Sequence, residues 1–181
     1  MQSDWPDANG FERDFYVLLL TASQNAGFEP EWLLALMASV SGLDPRAVRG
    51  ETQGLSQLVP PALRNLGVRI DGFSELPAHE QLQTVLRAID EWRVRCHLSR
   101  WESRAQMYLC SLLPVLLPVG CVPTYVVVDG QRAPEVYAAN PQLDPEQPNP
   151  VTELELEATI AEAIRGERYQ VALDSLAKVR S

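Results

Sequence analysis

GFEPEWLLALMASVSGLDPRAVRGETQGLSQLVPPALRNLG, residues 27–67, is the stretch on which the fold turns. Gly27 is a helix stop, and Pro30 sits where an early helical position favours proline. Leu33, Leu36, Met37 and Val40 follow i, i+3, i+4, i+7 spacing, so they form one apolar face of a helix that Gly42 and Pro45 end. Residues 44–59, with Gly50 and Gly54, read as an irregular segment. Pro60-Pro61 then opens a short helix that closes at Gly67.

Outward from this stretch the pattern stays helical. Phe15, Leu18, Leu19 and Ala22 place a helix over residues 11–25. Leu82, Val85, Leu86, Ile89, Trp92 and Cys96 share one face of a long helix over residues 77–98. Arg87, Asp90 and Arg95 form its solvated side. A helix over 101–113 turns Trp101, Ala105, Tyr108, Leu109 and Leu112 inward and stops at Pro114. Residues 125–128, a Tyr followed by three β-branched Val, run into Asp129-Gly130, which predicts a tiny hairpin reaching Val136-Tyr137. A Pro-rich loop follows over 140–150. Thr152 caps an acidic helix to Arg165, and a last helix covers 169–179. The expected architecture is mainly α with at most one small β-hairpin: a loose leader over residues 1–10 and a single domain over 11–181.

Composition narrows the function. Hydrophobic residues make up 46% of the 181, enough for a real core. Fifteen Lys+Arg against 24 Asp+Glu give a net charge of −9, which repels phosphate backbones and anionic lipid surfaces. Nucleic-acid binding is therefore not expected. Neither is membrane insertion, because the longest apolar run, residues 112–119, is short and broken by Pro114 and Pro118. Cys96, Cys110 and Cys121 form no CxxC pair and only two His are present, so no metal and no cofactor is expected. The polar, acidic start lacks the marks of a signal peptide, which predicts cytoplasmic synthesis, with assembly into an apparatus or export by a non-classical route.

Several short motifs in residues 27–67 agree in order and spacing with one family. The helix Pro30 to Ser39 is followed by Ser41-Gly42, then Leu43, Asp44 and Pro45. Gly54-Leu55-Ser56-Gln57, Pro60 and Leu66-Gly67 come next. This set resembles the soluble lytic transglycosylase and goose-type lysozyme superfamily, closest to the versions carried by phage tails and related injection machines. Gln81-Leu82, Met107-Tyr108-Leu109 with Pro114, and Tyr137 to Asp144 resemble later parts of those proteins. The resemblance implies a lysozyme-like α-helical domain, with Ser41, Gln57, Tyr137 and Asn140 near a glycan-binding cleft.

One position departs from the family. Its catalytic Glu falls at Val40. Cleaving a glycosidic bond needs a carboxylic acid that protonates the leaving oxygen, and an apolar cleft keeps that acid protonated. Valine offers no proton and suits the apolar stripe. The expected protein is a pseudo-muramidase whose partner is a peptidoglycan glycan strand or an apparatus or effector protein. The alternative is an active enzyme with a displaced acid: Glu51 first, in the loop entering Gly54, with Asp44 and Glu102 behind it. Each candidate also has a structural reading. Ser41 would cap the broken helix, Gln57 would bond loop backbone, Gly54 would serve a turn, Trp92 and Trp101 would pack in the core, and Tyr137 and Asn140 would anchor a loop. Asn140, Asp144, Glu146, Asn149 and Glu153 loosely suggest calcium, but the prolines and the missing central Gly do not fit an EF-hand.

Overall fold

The computed structural model describes residues 5–58, 60–69, 71–95, 97–112 and 153–181, with the side chains of 109–112, 153–156 and 159 left aside. The described residues are mainly helical with one small two-stranded antiparallel sheet. In order come α1 (Arg13–Ala26), α2 (Pro30–Ser41), β1 (Val48–Arg49), β2 (Thr52–Gln53), α3 (Pro60–Asn65), a 3₁₀ turn (Phe73–Glu75), α4 (Ala78–Arg95), α5 (Arg104–Leu112), α6 (Glu153–Ala163) and α7 (Glu167–Arg180). None of the described helices is long and apolar enough to cross a membrane.

Helix α2 is the centre. Leu33, Leu34, Ala35, Leu36, Met37, Val40 and Ser41 are all buried, so apolar surface runs around the helix rather than along one stripe. Such a helix must be enclosed. It packs on α1, α5, α6 and α7, while α4 closes the other side of α1 and α5. Glycines set both of its borders. Gly27, in the left-handed region, ends α1 with its N–H on the Ser23 carbonyl. Gly42 does the same for α2 on the Ala38 carbonyl. The Leu43 N–H reaches back to the Met37 carbonyl at 3.4 Å.

Helix α5 begins later than the periodicity implies, leaving Trp101 just ahead of it. The Ser103 hydroxyl accepts the Gln106 N–H at 3.0 Å, and the Gln106 side chain accepts the Glu102 N–H at 2.9 Å. This reciprocal cap fixes the start of the helix. A hairpin also forms where the sequence reading had none. The described one lies at 48–53, inside the segment read as irregular, with Val48 paired to Gln53 and Arg49 to Thr52. Gly50, at φ +59, takes the first loop position, where a type II′ turn favours glycine. The strands are two residues long with no alternation, which is why the pattern hid them. The expected hairpin at 125–137, the loop at 140–150 and the Thr152 cap lie outside the described residues.

The expected loose leader needs correction over residues 5–10. Asp7 accepts the N–H groups of Asn9 and Phe11 (both 2.9 Å), the Tyr16 hydroxyl at 2.5 Å and the Ser175 hydroxyl at 3.1 Å. Asn9 donates to the Arg168 carbonyl at 2.8 Å. Trp5 packs 5.5 Å from the Tyr16 ring. One carboxylate thus joins the segment before α1 to α1 and α7. A polar, acidic stretch gives no sign of this, because the partners are 9 and 168 residues away. Residues 1–4 lie outside the described residues.

Burial, and then the hydrogen bond and charge of Asp7, push the Tyr16 phenol well above its ordinary range; burial also raises Tyr108 and Tyr169. A raised folded-state pKa contributes stability that is complete below the unfolded tyrosine value and is lost as pH rises above about 10. Unfolding midpoints should therefore fall above that pH, less steeply for Tyr16→Phe. At neutral pH Asp7→Ala should cost about 2 kcal/mol or more in urea unfolding, because it orphans several donors at once.

Candidate functional site

The motif residues gather where the C-terminal end of α2 meets the loop 44–58 and the start of α4. The chain leaves α2 through two consecutive left-handed residues, Gly42 (φ +67) and Leu43 (φ +58). For leucine this backbone costs about 1–2 kcal/mol. Leu43 is fully buried in the core, and burial of its side chain, on the order of 2 kcal/mol, holds the turn. The Asp44 carboxylate then accepts the Arg46 N–H at 2.9 Å, a turn closure.

Val40 is only 7% exposed and belongs to the same core. Next to it Ser41 is buried, and its Oγ lies 2.8 Å from the Met37 carbonyl and 2.7 Å from the Leu55 carbonyl. A hydroxyl has one proton, so these two acceptors share it. Ser41 thereby joins α2 to the Gly54-Leu55-Ser56-Gln57 turn. Tyr108, on α5, brings its hydroxyl to Ser39 and within the field of Arg49. Burial raises this phenol, and those two neighbours partly oppose the rise.

Gln57 faces inward and sits at φ +51. Its amide donates to the Ala47 carbonyl at 3.0 Å and to the Gly54 carbonyl at 2.8 Å. Its Oε1 accepts the Thr52 hydroxyl at 2.7 Å. Both amide protons are thus engaged inside the loop.

Below the loop lies Gln81, in the first turn of α4 and 0% exposed. Its Oε1 accepts the Leu55 N–H at 2.9 Å; its Nε2 donates to the carbonyls of Pro45 (2.9 Å) and Leu76 (3.0 Å). A buried carboxamide is tolerable only when paired in this way. Gly54 has to be glycine for two reasons: φ is +78, and a Cβ would lie 2.5 Å from Gln81 Oε1 and 2.8 Å from Phe73 Cε1. The sequence reading named Gln81 but missed its role. The signal was its place on the α4 apolar face, four residues before Val85 and seven before Ala88.

The remaining candidates fall apart in space. Glu51 is exposed at the hairpin turn, away from any apolar enclosure, and its side chain makes no hydrogen bond or ion pair among the described residues. Trp92 is buried on α4 in the core. Trp101 and Glu102 border a different depression, at the N-terminal end of α2, opposite Val40. Tyr137, Asn140 and the loosely calcium-like loop lie outside the described residues. Among the described residues no group of three or more His, Cys, Asp or Glu is placed to hold a metal. Ser56 Oγ is buried and has no hydrogen-bond partner among the described residues.

The site as described holds a turn in place. It presents neither a desolvated carboxylic acid nor a free amide to a groove. Compared with family models, with curated proteins and with solved structures, the chain finds no match.

If these residues fasten the loop, changing them must show in stability. Gln81→Ala should cost about 3 kcal/mol or more, since it leaves one N–H and two carbonyls unpaired. Gly54→Ala should cost more than about 1 kcal/mol from φ alone. Glu51→Gln should stay within about 0.5 kcal/mol, as for an exposed turn residue. Chemical denaturation of the three variants checks the ranking.

Proposed function

We propose that the chain is a catalytically inactive lysozyme-like domain, a pseudo-muramidase, kept as a peptidoglycan-binding or structural module of a phage-tail-like, injection or secretion apparatus. The single observation that carries this reading is Val40. By the resemblance, the family's catalytic acid would fall at this residue, and here it is an aliphatic side chain buried in the core. General acid catalysis contributes on the order of 10²–10⁴-fold, and among the described residues no neighbouring group supplies it.

Of the two kinds of partner, the engaged polar atoms favour a protein. Ser41 and Gln57, expected at a sugar cleft, already bond backbone within the turn. The net charge of −9 suits a basic partner, whose binding would weaken with salt. The displaced-acid alternative finds little support. Glu51 stands in solvent, without the apolar walls that keep a catalytic carboxylic acid protonated near neutral pH.

The test is incubation of the wild-type protein with purified peptidoglycan, with soluble muropeptides separated by mass and the pellet assayed for protein. No new fragments are expected, and protein should remain in solution. Protein in the pellet without fragments would select the glycan-binding form. New fragments would overturn the reading; loss of those fragments in a folded Glu51→Gln variant would then identify the acid.

A further inference from the structure

The segment before α1 reaches the last helix of the chain. Residues 7–11 form a closed turn of their own. The Asp7 N–H donates to the Phe11 carbonyl at 3.0 Å and the Gly10 N–H to the Asp7 carbonyl at 2.9 Å, while the Asp7 carboxylate accepts the Asn9 and Phe11 N–H groups. Rings seat this turn on α1: Phe11 stacks on Phe15 at 4.4 Å and tilts against Tyr16 at 6.2 Å. Toward α7 the turn reaches with hydrogen bonds. Asp7 Oδ2 accepts the Tyr16 hydroxyl and the Ser175 hydroxyl together, so α1 and α7 meet at one oxygen. The Asn9 amide donates to the Arg168 carbonyl at 2.8 Å and accepts from Arg168 Nε at 3.2 Å. Arg168 and Ser175 stand about two turns apart on one side of the helix, so the segment runs along α7 rather than touching it at a point.

We propose that residues 5–11 are a latch and that α7 is a releasable helix, which leaves the bundle as a unit while α1, α2 and α4 stay folded. This is independent of the reading of Val40. Three observations carry it. First, α7 buries four of its fourteen residues, one of them Ser175, whereas α2 buries eight of twelve. Apolar burial therefore holds α7 less firmly than α2. Second, both ends of α7 are weakly fixed. Its start has no side-chain cap, and the Arg180–Glu31 pair at its end is open to water and salt. Third, Ser175 is 3% exposed, so docking α7 strips its hydroxyl of water, and Asp7 is the acceptor that replaces it. Release of α7 would uncover Tyr169, Ala172 and Leu176 together with the surface of α1 and α2 on which the helix packs.

Native-state hydrogen exchange of the full chain at low urea, read residue by residue, tests the latch. The amides of Ala172 and Leu176 should exchange about a hundredfold or more faster than those of Leu34 and Met37, with a shallower dependence on urea, since the opening exposes one helix only. Asp7→Asn should speed the α7 amides about tenfold or more. If that variant fails to fold, Asn9→Ala, at the exposed end of the latch, should move them in the same direction by about threefold. Exchange of the α7 amides with the same urea dependence as α2 would make the helix part of the global unfolding unit and overturn the proposal. So would α7 exchange left unchanged by the latch variants.

Discussion

A carboxamide sealed inside the protein, that of Gln81, is the constraint from which the rest of the architecture follows. Buried without partners it would cost several kcal/mol; with the Leu55 N–H and the carbonyls of Pro45 and Leu76 it becomes a clamp. Those three partners belong to both ends of the irregular loop and to the turn before α4, so none of the three can shift alone. Gly54 lies against the clamp, where a side chain would strike Gln81 and Phe73. From the other side Ser41 reaches the Leu55 carbonyl. The central helix, the loop and α4 are thereby joined through polar bonds in an otherwise apolar core.

This arrangement gives the motif residues a structural role. The motif Gly54-Leu55-Ser56-Gln57 is required by the turn it forms: a glycine for close approach, a buried leucine, and a glutamine whose amide closes the loop on itself. Val40, in the same core, fills space beside them with an aliphatic side chain. Two left-handed residues in succession, Gly42 and Leu43, persist because burial of Leu43 outweighs its backbone cost. Packing and hydrogen bonding account for each of these residues.

Helices were legible because they announce themselves locally. Gly27 and Gly42 end α1 and α2 in the left-handed region, Pro30 opens α2, and the apolar spacing of Leu82, Val85, Ile89 and Trp92 marks α4. What escaped the sequence was nonlocal or short. Asp7 joins residues 168 apart. The hairpin at 48–53 has strands too brief to show a period. The function of Gln81 depends on carbonyls 5 and 36 residues away. For the candidate site, the sequence named Ser41, Gln57 and Gly54. It left open whether they serve a ligand or a loop, because residue type alone does not say where a side chain's hydrogen bonds go.

The central claim is that the motif residues hold the loop onto the core as one cooperative unit with α2. Native-state hydrogen exchange at the Leu55 amide tests it most directly, since among the described residues that N–H is held by the buried Gln81 side chain. The account predicts exchange as slow as that of the α2 core amides, with the same dependence on denaturant. Fast exchange through local opening of residues 44–58, while α2 remains protected, would contradict it.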